Sequence, residues 1–339
     1  MRLRRSVLVV VPAVLLAASV PLAFAAVDPA VRQSRVTGVG VHNSYEKAVF
    51  PYLADALDSG ASLVEIDVWV STVGPRWRVN HDLPVGTKDW GQRNNCTSGG
   101  LRSGGGNQGL DRCFENLRLW HDQNPGHRPI TVKIEFKNGF NQTYGAGPAA
   151  FDALVRAKLG DTVFTPGDLL GDHPTLDAAA KADNWPTRER MAGRFMIEVV
   201  PGTFERGNPF DKLHTDVEYG RWVRDNPRTA QAFPTVLDAQ AGDPRTRFAE
   251  PSVRPWFVVF DGNATSYAGG GVDPQWYGDN NYYLVMTGAH GVAPALDATN
   301  PPAAAARERV EWLAKRHASI VSTDWARLGE VLELELPRG

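Results

Sequence analysis

The chain has only two cysteines in 339 residues, which excludes a disulfide-stapled miniprotein and a four-cysteine zinc site. It also lacks a basic excess: 36 Lys and Arg stand against 38 Asp and Glu, a formal net charge of −2. A broad positive field of the kind that binds nucleic acid is therefore missing, and no nucleic-acid partner is expected. No low-complexity tract, charge block or linker divides the sequence. No apolar run after residue 25 is long enough to cross a bilayer. No G-x-G-x-x-G follows the first strand-like run, which argues against a dinucleotide-binding fold. What is present is an ordinary globular balance, with 42% hydrophobic and 22% charged residues, on a length able to bury a full core.

The N-terminus reads as a leader. Arg2, Arg4 and Arg5 precede a nearly continuous apolar run from Val7 to Val20, and Ala23-Phe24-Ala25 has the small-x-small form of a cleavage site. Residues 1–25 are thus expected to be a secretory signal peptide, with an uncleaved anchor helix as the alternative. Removing three arginines and no acid takes the net charge from −2 to −5. A secreted, extracellular chain meets oxidising conditions, so Cys96 and Cys113 are expected to pair. They would close a short loop worth about 3 kcal/mol in the chain-entropy model.

Short β-branched or aromatic runs bounded by turn formers read as strands. They are Val36–Val41, Leu63–Val70, Trp77–Asn80, Ile130–Phe136, Phe195–Val200, Trp256–Phe260, Tyr283–Thr287 and Ser319–Thr323. Helical spacing marks Ala48–Asp58, Leu110–His121, Pro148–Leu159, Thr215–Arg224 and Ala303–Arg316, with a shorter stretch at Thr187–Met191. Strands alternating with helices predict an α/β fold, with an irregular (β/α)8 TIM barrel spanning residues 26–339 as a single domain. An open doubly wound sheet is the alternative. The irregularity is expected between the second and third strands, which only Ser71–Pro75 separates.

Polar residues gather at the C-terminal ends of the first four runs, where a barrel builds its active site. His42-Asn43 ends the first, Glu65-Ile66-Asp67 lies within the second, His81-Asp82 follows the third, and Glu135 and Lys137 close the fourth. Side chains two apart share a face. Glu65 and Asp67 therefore point together, as do Lys133, Glu135 and Lys137. Converging buried carboxylates need a partner. With the Asn43 amide they form an oxygen-rich set suited to Ca²⁺ or Mg²⁺ rather than Zn²⁺. The plainer reading is internal salt bridges, Glu135 to Lys133 and Glu65 to Arg78.

In this order the residues resemble the phosphatidylinositol-specific phospholipase C superfamily, and more closely its calcium-dependent type. Metal-dependent members carry His-Asn after strand one, Glu-x-Asp on strand two, a second His after strand three and a Glu on strand four. The match covers roughly residues 36–137. It implies a distorted (β/α)8 barrel that cleaves phosphatidylinositol to diacylglycerol and inositol (cyclic) phosphate. Asn43, Glu65, Asp67 and Glu135 would bind Ca²⁺, with Mg²⁺ the second choice. His42 would stabilise the charged transition state and His81 would protonate the leaving oxygen. Lys137 is a candidate for phosphate or inositol contact, and Glu198 for inositol hydroxyls.

The partner implied is phosphatidylinositol in a membrane surface, touched transiently by a monomer. Tyr267, Trp276, Tyr277, Tyr282 and Tyr283, on a loop read as spanning Asp261–Tyr283, either form a membrane-facing rim or pack that loop down. The rival functions are a glycerophosphodiester phosphodiesterase or sphingomyelinase D-like phospholipase, and a secreted barrel that binds without catalysis.

Overall fold

A computed structural model describes residues 27–72, 76–83 and 94–339; the leader expected at residues 1–25 lies outside the described residues. The strands are β1 (Val36–Val41), β2 (Leu63–Val70), β3 (Trp77–Val79), β4 (Ile130–Phe136), β5 (Val163–Phe164), β6 (Phe195–Pro201), β7 (Phe233–Leu237), β8 (Val259–Asn263), β9 (Tyr283–Thr287), β10 (Ile320–Thr323) and β11 (Leu336–Pro337). Eight of them pair in parallel in the order β1-β10-β9-β8-β7-β6-β4-β2. Pairing of Gly40 with Leu63 and Val41 with Val64 joins β2 back to β1 and closes the barrel. Closure rules out the open doubly wound sheet.

The alternation of β2 and β4 explains both layers. Val64, Ile66, Val68, Val132, Ile134 and Phe136 are fully buried under the helices. Glu65, Asp67, Lys133, Glu135 and Lys137 take the opposite, inward face. Gly38 and Gly40 keep β1 narrow on that side: a Cβ at Gly38 would fall 2.4 Å from Ser62 Oγ, and one at Gly40 2.8 Å from Leu63 Cβ.

Three strand assignments change. The run expected at Trp256–Phe260 begins later, at Val259–Asn263, because Trp256 closes a 3-10 helix (Pro251–Trp256), and Asp261 therefore lies within the strand. Trp77–Val79 is not the third barrel stave. It pairs antiparallel with β2, Val68 opposite Val79 and Val70 opposite Trp77. A parallel neighbour would need a crossover of roughly a dozen residues or more, and the Ser71–Pro75 connector is far shorter. The stave missing from the sequence reading is β7, Phe-Pro-Thr-Val-Leu. Its proline removes a backbone donor and masks the strand pattern, yet Thr235, Val236 and Leu237 pair with β8. Five helices fall close to expectation, at Leu110–Gln123, Pro148–Lys158, Arg188–Met191, Thr215–Asp225 and Ala303–Ala314, while the first is shorter than Ala48–Asp58 and begins only after Pro51, at Leu53–Asp58. The Asp261–Tyr283 aromatics pack inward: Tyr267, Tyr277, Tyr282 and Tyr283 are buried, and Trp276 lies against the core.

Cys96 and Cys113 form a disulfide. It tethers a segment that supports the loop after β1. Asn95 Nδ2 donates to the carbonyls of Ser44 and Phe50, at 2.9 and 3.0 Å, and Asn95 N donates to Tyr45 O at 2.8 Å. The double variant Cys96→Ser/Cys113→Ser is expected to lose about 3 kcal/mol of stability in urea unfolding. An unfolding midpoint equal to that of the oxidised parent would contradict this.

Candidate active site

β1 ends in a turn that aims His42 and Asn43 over the barrel mouth. Asn43 adopts φ +51°, a left-handed conformation that asparagine tolerates better than most residues. The turn is stitched to β2 through Ser44, whose Oγ accepts from Glu65 N at 2.8 Å and donates to Glu65 O at 3.1 Å. Asn43 N donates to Glu65 Oε2 at 3.2 Å. β3 folds back along the upper half of β2, above the short β1–β2 pairing. Asn80 N bonds Asp67 O at 3.1 Å. β3 runs antiparallel, away from the mouth, so His81 does not end a barrel stave as its place in the sequence suggested; it follows Asn80, exposed and 3.2 Å from Asp82 through Nδ1.

Glu65, Asp67 and Glu135 each offer a carboxylate oxygen within 4.8 Å of the others. Burial raises the pKa of Asp67, and the charges of Glu135 and Glu65 push it further, against Lys137. Asn43 Oδ1 and Asp67 Oδ1 are buried without a hydrogen-bond partner. Orphaned oxygens beside three converging carboxylates are the environment a hard divalent cation satisfies. The donor set fits calcium: Glu65, Asp67, Glu135 and Asn43 would hold it.

Two lysines share the site. Lys133 Nζ reaches Glu65 Oε1 at 3.2 Å and Asp261 Oδ2 at 2.8 Å, bridging β4 to β8 across the barrel. Lys137 Nζ lies 2.7 Å from Asp67 Oδ2 and 2.8 Å from Glu135 Oε1. Salt bridges therefore exist, with partners other than those the strand order suggested. Burial opposes ionisation of Glu65, but Lys133 and His42 outweigh it and hold its pKa below the usual carboxylate value. Glu198 is fully buried on β6, in register with Lys133 and Glu65 and hence one layer beneath Asp67 and Glu135. Burial and the neighbouring Asp261 raise its pKa.

His42 is half-exposed. Its Nδ1–H donates to Asp324 Oδ1 at 2.8 Å, while Nε2 lies 3.8 Å from Glu65 Oε2. Burial pulls its pKa down, but the Asp324 hydrogen bond and the Glu65 charge prevail and raise it to about 9. That shift favours the protonated ring. Asp324, Lys133 and Asp261 escaped the sequence reading as site residues. Asp324 follows β10 directly, and Asp261 follows the run that ends at Phe260, so the strand-end rule that found His42 would have found both.

Comparison with known proteins follows the same line. The model of the family described as calcium-dependent phosphoinositide phospholipase C matches residues 103–220, a segment that includes Glu135 and Lys137. Comparison with the curated proteins gives no match. Among solved structures, the calcium-dependent phosphatidylinositol-specific phospholipase C of Streptomyces antibioticus is 48% identical, with a TM-score of 0.87, over 91% of this chain and 100% of that one. A calcium-dependent phosphoinositol-specific phospholipase C from a Pseudomonas species shares the fold at 18% identity and a TM-score of 0.69, over 91% of this chain and 96% of that one. With the fold, the carboxylate cluster and a relative of this identity over its whole length in agreement, the chain belongs to the calcium-dependent phosphatidylinositol-specific phospholipases C.

Proposed function

We propose that this chain cleaves phosphatidylinositol to diacylglycerol and an inositol cyclic phosphate, with or without later hydrolysis. The observation that carries the reading is the carboxylate cluster with its orphaned Asn43 amide beside the Asp324-held His42 cation. When bound, calcium supplies a Lewis acid that makes the inositol 2-hydroxyl more acidic and neutralises phosphate charge. Glu65 or Glu135 accepts the hydroxyl proton. The 2-oxygen forms a bond to phosphorus while the bond to the diacylglycerol oxygen breaks. His42 sits where its positive charge offsets the charge gathering on the phosphoryl oxygens. His81 gives its proton to the departing oxygen.

Incubating the protein with phosphatidylinositol, glycerophosphoinositol and sphingomyelin, with calcium, magnesium or chelator, tests the reading. Calcium-dependent release of diacylglycerol from the first is the expected result. Turnover of either other substrate alone would favour a different phosphodiesterase. Binding without turnover would favour a non-catalytic barrel.

The reading extends to a monomer that acts outside the cell and meets its substrate transiently at a bilayer. The absence of a basic excess supports transient contact. No helix among the described residues is long and apolar enough to cross a membrane. The apolar contact would come from Tyr144, Phe204 and Phe210, which are 53, 50 and 90% exposed. Tyr144 follows β4, and Phe204 and Phe210 follow β6, on the loops of the mouth. The Phe204 ring packs against Trp69 with centroids 5.2 Å apart and planes tilted by 60°, and its neighbour Thr203 donates through N to Glu135 Oε1 at 3.3 Å. Burying one such ring in lipid is worth roughly 1.5–3 kcal/mol, so Phe210→Ala is expected to weaken vesicle binding on the order of tenfold. Its turnover of a monomeric short-chain substrate should stay near that of the parent. Equal vesicle binding by variant and parent would remove Phe210 from the contact surface.

A further inference from the structure

Lys137 is tied to the site more tightly than a substrate contact requires. Its backbone is fixed at the end of β4, with N donating to Val68 O and O accepting from Glu205 N, both at 2.8 Å. The side chain is buried, and its ammonium bridges Asp67 and Glu135 at 2.7 and 2.8 Å. These are two of the three carboxylates that converge within 4.8 Å. Calcium binds carboxylate oxygens at about 2.3–2.6 Å. An ion on the oxygens that Lys137 touches would therefore lie no more than about 5 Å from the ammonium nitrogen, and two cations that close in a buried setting repel strongly.

We infer that Lys137 is a built-in counter-ion of the metal site, competing with calcium for Asp67 and Glu135 and setting the calcium affinity below what the carboxylates alone would give. The inference rests on the calcium reading of the site and adds to it a determinant of affinity. It assigns the ammonium two duties. Without calcium it offsets the repulsion among Asp67, Glu135 and Glu65. With calcium bound, its positive charge sits on two of the same carboxylates and lowers the affinity for the ion. Lys133 differs: its ammonium is divided between Glu65 and Asp261, so it meets one carboxylate of the cluster where Lys137 meets two.

The test is calcium titration by calorimetry on the full chain, comparing the parent with Lys137→Met and Lys137→Gln, alongside thermal unfolding in chelator. Both variants are expected to bind calcium roughly tenfold more tightly or better, through loss of a nearby positive charge. Both should unfold at lower temperature in chelator and regain more than the parent does when calcium is added. Calcium binding that is unchanged or weaker in folded variants would overturn the counter-ion role, leaving Lys137 as a positioning group. Absence of calcium binding in the parent itself would instead overturn the metal reading on which the inference stands. Should Lys137→Met fail to fold, Lys137→Arg keeps the charge on a wider head and should bind calcium no more tightly than the parent. Tighter binding by the arginine variant would equally count against the proposal.

Discussion

Replacing His42 by alanine is expected to lower kcat on phosphatidylinositol by roughly 10²–10⁴-fold, the range removed with a positioned proton-transfer or charge-stabilising group. The ring stands between Asp324 and Glu65, whose hydrogen bond and charge raise its pKa against burial and favour the protonated form. Alanine deletes that charge where the phosphate would develop its own. The fold should not suffer, because the side chain is 47% exposed and fills no core position. Asp324→Asn is the sharper companion. It leaves the ring in place but exchanges the carboxylate at 2.8 Å for a neutral amide, so the imidazolium loses its main support. A smaller loss, roughly tenfold or more, is expected. Steady-state kinetics with vesicle substrate, and unfolding midpoints measured beside them, check both. A folded His42→Ala variant with parental kcat would remove His42 from the mechanism.

Asp67→Asn is expected to abolish measurable calcium binding and to reduce activity by several orders of magnitude, since a buried carboxylate ligand and its charge disappear together. Its stability should move the other way. Burial first, then the adjacent Glu135 and Glu65 charges, raise the Asp67 pKa above its ordinary value, so the ionised form is unfavourable in the fold. A neutral amide of the same shape relieves that repulsion, while Lys137 keeps Glu135 as a partner. In chelator the variant should therefore unfold no earlier than the parent, whereas in calcium it should lack the stabilisation that binding gives the parent. Calorimetric titration and thermal unfolding under both conditions decide the point. Parental calcium affinity in Asp67→Asn would take Asp67 out of the ligand set.

Much of this site could be read before folding. Glu65 and Asp67 two apart on one strand, and Glu135 and Lys137 two apart on another, must share a face whatever the neighbours are. Their aliphatic alternates fix that face as the inner one. The position of His42 and Asn43 just past β1 carries the same information. Less legible was β7, where Pro234 interrupts the alternation although the following residues still pair with β8. The short connector that forbids parallel pairing of β3 was visible too, and weighing it would have reassigned that strand. The aromatics from Tyr267 to Tyr283 leave two readings open in sequence, a rim or a packed loop. Only burial separates packed rings from exposed ones, and the exposed rings turn out to be Tyr144, Phe204 and Phe210.

Composition was neutral about function, yet local order along the chain was enough for the barrel class, the inward carboxylates, the paired cysteines and the family resemblance. Each of these depends on the strand period or on residues near one another in sequence. The pairing of His42 with Asp324, of Lys133 with both Glu65 and Asp261, and of Lys137 with Asp67 and Glu135 was decided by tertiary structure. Asp324 lies 282 positions from His42, and Asp261 is met from β4 straight across the barrel. Coulomb interaction depends on separation in space. Which acid holds which base, and so how basic His42 becomes and what charge calcium meets, was settled when β2 closed against β1.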